Sequence, residues 1–252
     1  VPLAIELAAA WLKLFTPGML LARLQQGLPV LAGDVAPGQQ RTLRDAVAWS
    51  EALLDPAERA IFQQLALFSG GWRLEAVQAI CLHDDAERST EGIVRSLANK
   101  SLITRYHASG DDERYRMLAM IRAYALEQLD QSGDAPAARA RHAAYYEEMA
   151  ANAAAFLAEE RQVEWLDLLE REHGNLRVAL RWMLDSGLRL RALALAVNLE
   201  NFWILHDHLV EGQRWLEEAL RIDGEAEPET EARARGALAA LLLRMGAFEQ
   251  AR

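Results

Sequence analysis

Apolar residues recur at helical spacing almost everywhere in this chain, and that period breaks once. Ser101–Tyr106 is β-branched and aromatic, Ser109-Gly110-Asp111-Asp112 has turn composition, and Arg114–Leu118 alternates again. One hairpin in an otherwise helical protein is what this pattern specifies. Short helices lead up to it. Thr42–Leu53 carries Leu43, Val47 and the following Leu54 on one stripe. Asp55-Pro56-Ala57-Glu58 is a helix start, with a carboxylate cap, a proline at the first helical position and a glutamate three residues after the cap. The helix it opens buries Ile61, Phe62, Leu65 and Ala66 and stops at Ser69-Gly70-Gly71. Leu74–Cys81 and Thr90–Asn99 follow before the hairpin, and Met120–Leu129 returns to helix after it. Short helices and then a hairpin are the order of a winged helix. Its expected core is Leu54, Ile61, Phe62, Leu65, Ile80, Val94, Leu97 and Ile103.

Breaker residues divide the chain twice. Leu3–Phe15 and Pro17–Gln26 read as helices. Gly27, Pro29, Gly33, Pro37 and Gly38 then make Leu28–Gln40 a linker. The second break is Ser132-Gly133-Asp134-Ala135-Pro136. Beyond it the pattern is long helices, with glycine turns expected at Gly174, Gly187, Gly224 and Gly246. Gly246, Phe248 and Ala251 have the spacing of the turn between the two helices of a tetratricopeptide repeat. There the glycine reverses the chain, the aromatic fills the groove and the alanine permits close packing. A looser copy runs through Gly212, Trp215 and Ala219. The offset from Gly212 to Ala251 is 39 residues, against a usual period of about 34, and the array is therefore expected to be TPR-like. The predicted fold is therefore mainly α. Residues 1–40 form the end of a helical subdomain and a linker, 41–131 a winged helix with its small β-hairpin, and 137–252 a TPR-like helical repeat array.

Charge and composition exclude several roles. A net charge of −10 opposes binding to nucleic acid phosphate without a local basic patch, and opposes an anionic membrane surface. The longest apolar runs, such as Gly236–Leu243, fall far short of the ~20 residues that span a bilayer. Val1–Leu14 lacks the basic lead-in of a signal peptide and is interrupted by Glu6 and Lys13. The single cysteine, Cys81, points to a reducing, cytoplasmic compartment. The pattern opens at Val1 without an initiating Met and is cut at Arg252, so a piece of a longer protein is expected.

Few residues suggest chemistry. Cys81 has only His83 nearby as a base and reads as a buried core thiol. Glu170-x-x-His173 has the spacing of one half of a carboxylate-bundle iron site, but no second copy exists, so a surface helix is expected. His206-Asp207-His208 would not converge on a helix and reads as a turn. No catalytic residue and no metal ligand is therefore assigned. Trp165, Trp182, Trp203 and Trp215 are expected in the interhelix core. The recognition-helix candidate Thr90–Lys100 carries Glu91, Arg95 and Lys100, and the wing tip is Asp111-Asp112-Glu113. That acid would repel phosphate, so no direct DNA binding by this segment is expected.

Four segments in order resemble one family. Val1-Pro2-Leu3-Ala4 is similar to the end of a G-x-P-L-A motif running into a helix of small residues. Arg41-Thr42-Leu43-Arg44 with Trp49-Ser50 and Leu53–Arg59, then Leu97–Leu102, then Arg114–Leu118 with Ile121–Ala125, continue the likeness. The resemblance is to the nucleotide-binding NB-ARC module and winged helix of STAND ATPases, most closely the bacterial regulators with LuxR-type or SARP-type DNA-binding domains. It covers roughly residues 1–185. It implies an ATP/ADP switch upstream in the same chain, with the winged helix locking the ADP form and the repeats receiving a protein or small-molecule inducer. Pro2 matches the proline that lies on the adenine side in the family; on its own it is equally a helix-start proline. The family's M-H-D motif, whose histidine contacts the ADP phosphate, aligns on Met117, Leu118 and Ala119. Leucine cannot donate to a phosphate, so this chain departs from the pattern there. No G-x-x-x-x-G-K-[ST] loop occurs in the sequence, and this segment is not expected to bind or hydrolyse ATP alone. The alternative is a TPR-type interaction scaffold with no nucleotide switch.

Overall fold

The computed structural model describes residues 18, 39–83, 85, 87–108, 112–156, 162–223 and 227–246. Pro2, the upstream helices, Asp111, Gly224, Phe248 and Ala251 lie outside them. The described chain is mainly helical with one two-stranded antiparallel hairpin. It divides into two compact units. One takes the described residues up to Leu67 with Gly71–Ala138, and the other takes Phe68–Gly70 with those from Arg139 on.

The first unit runs α1 (Gln39–Ala52), α2 (Pro56–Leu65), α3 (Leu74–Ile80), α4 (Thr90–Asn99), β1 (Thr104–His107), β2 (Glu113–Arg116) and α5 (Ala119–Ser132). The predicted start of α2 is a complete capping box. Asp55 accepts from the Glu58 N–H at 2.9 Å, and the Asp55 N–H donates to Glu58 at 3.1 Å. All eight predicted core residues are buried. α2 packs on α4 and α5, and α3 packs on α4. The Gln64 amide pairs with both backbone groups of Leu82, at 2.7 and 3.0 Å, and fixes the chain leaving α3. The hairpin pairs Thr104 with Arg116 and His107 with Glu113. Trp72 joins it by exchanging both backbone hydrogen bonds with Tyr115, at 2.9 and 2.8 Å. This one-residue third strand has no alternating pattern and was not predicted. The Tyr124 hydroxyl on α5 donates to buried Glu51 of α1 at 2.6 Å.

The second unit contains α6 (Ala135–Phe156), whose first turn through Ala138 belongs to the first unit, then α7 (Gln162–Asp185), α8 (Arg189–Asn198), α9 (Glu200–Leu205), α10 (Leu209–Arg221) and α11 (Pro228–Arg244). α8 packs on α7, α10 and α11, and α10 packs on α11. Gly187 and Gly246 sit in turns with positive φ, as expected. Gly174 does not: it lies inside α7. A Cβ there would come within 2.7 Å of the Ser69 carbonyl oxygen, while the neighbouring Asn175 accepts from the Ser69 N–H at 2.6 Å. The glycine serves close approach of a loop, not chain reversal. Gly212, inside α10, likewise faces the Trp203 ring, 2.5 Å from where a Cβ would stand. Of the four tryptophans expected in the core, only Trp203 is fully buried. Trp165, Trp182 and Trp215 are half-buried. Trp165 stacks on Phe156, and Trp215 lies beneath the Arg181 guanidinium, so these two indoles cover edges of the helix packing.

Candidate functional site

The face that a winged helix uses for recognition is formed here by α4 and the hairpin. α4 starts on Ser89, whose hydroxyl accepts from the Gly92 N–H at 3.1 Å. It buries Ile93, Val94 and Leu97. That leaves Glu91 and Arg95 outward, bound to each other at 2.6 Å. Lys100, counted in the sequence as a recognition-helix cation, is turned inward. Its ammonium lies 2.6 and 2.5 Å from the two oxygens of Glu58, and both residues are buried. The Ser96 hydroxyl donates to the same carboxylate at 2.6 Å. Glu58 therefore caps α2 and anchors the end of α4 at once. The start signal revealed the first role. The second joins residues 42 positions apart and left no local trace.

The described acids of the wing are also paired. Asp112 accepts from Arg73 Nε at 2.7 Å and is largely covered, so it does not project from the tip as expected. Glu113 takes Arg105 at 3.2 Å and the Tyr115 hydroxyl at 2.5 Å. Burial and Glu113 push the Tyr115 hydroxyl up to about 12, so it stays a donor at neutral pH. The Arg116 guanidinium lies over the Tyr106 ring, 5.4 Å from its centroid. An open cleft of about 630 Å³ runs between α4 and the hairpin, with Arg95, Asn99, Arg105, Glu113 and Leu118 among its lining. Leu118, the residue that the resemblance sets against a histidine, is 43% exposed and caps α5 without a side-chain hydrogen bond. It offers hydrocarbon where that motif offers an imidazole.

The remaining sequence candidates separate clearly. Cys81 is 2% exposed, the buried thiol expected. His206-Asp207-His208 is the turn between α9 and α10. The Glu170-x-x-His173 stretch is not the surface helix expected: His173 is only 6% exposed. The chain folds so that Glu170 meets His206 and His208, and His173 meets His208. No described helix is long and apolar enough to cross a membrane.

Residues 54–130 match the winged helix-turn-helix domain family. The match covers α2 to α4, both strands and α5 as far as Asp130. The chain is 37% identical over 223 residues to proteins of Mycobacterium tuberculosis and Mycobacterium bovis, each named "Putative HTH-type transcriptional regulator", covering 87% of this chain and 25% of theirs. It is 39% identical over 146 residues to an uncharacterized protein of Mycobacterium tuberculosis, covering 56% of this chain and 37% of that one. The chain thus spans about a quarter of the length of the named regulators it matches. No solved structure matches the chain.

Proposed function

We propose that this chain is a regulatory segment of a longer transcription regulator, and that its winged helix works by packing within that protein. The observation that carries this is the fate of the α4 cations. Lys100 is buried on Glu58, and Arg95 is paired with Glu91. Arg105 of the wing is paired with Glu113. A phosphate would have to compete with carboxylates already in place. The names of the mycobacterial relatives support the regulator class. By the resemblance, a slowly hydrolysing ATP/ADP switch precedes the winged helix, and the helical array takes an inducer. Leu118, exposed beside the cleft, would then hold the resting state through apolar contact instead of a phosphate hydrogen bond.

Selection from a pool of randomised duplexes, followed by fluorescence anisotropy with the enriched sequences, tests the DNA question on this chain. The expected result is no binding in the sub-micromolar range typical of specific readers. Tight binding that falls steeply with salt and is weakened by Arg95→Ala would make the winged helix a DNA reader. In the longer protein, Leu118→His should slow ADP release. A longer protein that binds no nucleotide would favour the interaction scaffold.

A further inference from the structure

The second unit gathers three histidines and two glutamates from three elements. Glu170 and His173 stand three apart on α7 and so share a face. His206 and His208 come from the turn between α9 and α10. On a helix their side chains would diverge. Here Asp207 takes φ of +61°, and both rings reach the same Glu170 oxygen, His208 Nε2 at 2.9 Å and His206 Nδ1 at 3.2 Å. One donor atom each from Glu170, His173 and His208 lies within 4.8 Å of the others. The His173 and His208 rings are 4.5 Å apart between centroids.

The fittings around these groups are those of a ligand set. His173 is buried, and its Nε2 meets Glu211 Oε1 at 3.2 Å, an ion-pair contact that falls short of full hydrogen-bond geometry. Buried ring nitrogens ordinarily find a partner. Glu211 is itself held by Arg177 and by the Trp215 indole N–H at 3.0 Å. Phe202, fully buried, packs against His173, His206 and His208 with centroids 5.1 to 5.4 Å away. Glu170 remains half-exposed, which leaves a path from solvent. Donors around a tetrahedral Zn²⁺ at about 2.1 Å stand about 3.4 Å from one another. The Glu170 and His208 donors are 2.9 Å apart and all three donors lie within 4.8 Å of one another, so side-chain adjustment alone would bring them to that spacing.

We propose that Glu170, His173 and His208 form a site for a divalent transition metal, with Zn²⁺ the best match to two imidazoles and a carboxylate. His206 stands beside the set, its Nδ1 3.2 Å from the Glu170 carboxylate. Because α7 and the α9–α10 turn supply different ligands, the ion would staple them together.

The test is calorimetric titration of the whole chain with Zn²⁺, alongside visible absorption with Co²⁺. One ion per chain should bind at micromolar or tighter affinity, with the intense visible band of four-coordinate Co²⁺. Glu170→Gln, at a half-exposed position, and His208→Asn should each weaken binding by about tenfold or more. His107→Ala, in the hairpin, should leave it unchanged. Circular dichroism of each variant reports whether it is folded. Folded variants that bind Zn²⁺ as the wild type does would overturn the site, as would a wild type that takes up no ion. The cluster would then be a hydrogen-bonded clasp between α7 and the turn.

Discussion

Glu58 shows how much one side chain can carry. Its two oxygens serve the Asp55 N–H, the Ser96 hydroxyl and the Lys100 ammonium. Removing one partner of a buried pair strands the other charge. Lys100→Met should therefore cost about 3–5 kcal/mol, measured by urea unfolding, and the Glu58→Gln, Lys100→Met double variant should recover part of it. Asp55 gives a pH signature. Burial alone would raise its carboxyl, but the Glu58 N–H and the Arg88 guanidinium outweigh burial and hold it below the usual carboxylate range. A depressed acid contributes stability above its unfolded pKa and loses it as pH falls through the folded value. Asp55→Ala should thus cost about 1 kcal/mol at neutral pH, with the gap to wild type closing in acid. An equal gap at pH 7 and at pH 2 would show that the carboxylate charge is not what stabilises.

At the scale of elements, what the sequence reveals depends on how local the cause is. The α2 start was legible because cap, proline and glutamate lie within four residues. The single hairpin was legible because its period changes. Gly174 was misplaced because a glycine needed for φ and a glycine needed for close approach look alike in sequence, and only Ser69, far away in the chain, distinguishes them. Trp72 was missed because a one-residue strand has no period. The Glu170 and His208 pairing spans 38 positions, and a motif read along one helix could not contain it. Gly212 offers a sharp check of packing. Its neighbours, Trp203 on α9 and Leu241 on α11, would both have to move for an added methyl. Gly212→Ala should destabilise the second unit by about 1–3 kcal/mol through overpacking, despite the better helix propensity of alanine. A thermal melt at or above the wild-type midpoint would contradict that close approach.

For the whole molecule, the question is whether two cores make two cooperative units. The first is built on Ile61, Phe62, Val94, Leu97 and Ile121, and the second on Leu169, Leu176, Leu193, Trp203 and Leu216, all essentially inaccessible to solvent. Each set is large enough to specify its own packing, and a domain with its own core can open by its own equilibrium. Damage placed inside one core should then be read mostly within it. Lys100→Met should raise amide exchange in peptides from α2, α4 and the hairpin, and leave α8, α10 and α11 near wild-type protection. Gly212→Ala should do the reverse. α6 is the informative segment, because its first turn through Ala138 packs with Leu67 and Leu129 of the first unit while Tyr146 donates to Glu172 within the second at 2.9 Å. Exchange along α6 should change near Ala135–Ala138 in one variant and around Tyr146 in the other. If both variants lose protection equally along the entire chain, the two cores melt as one.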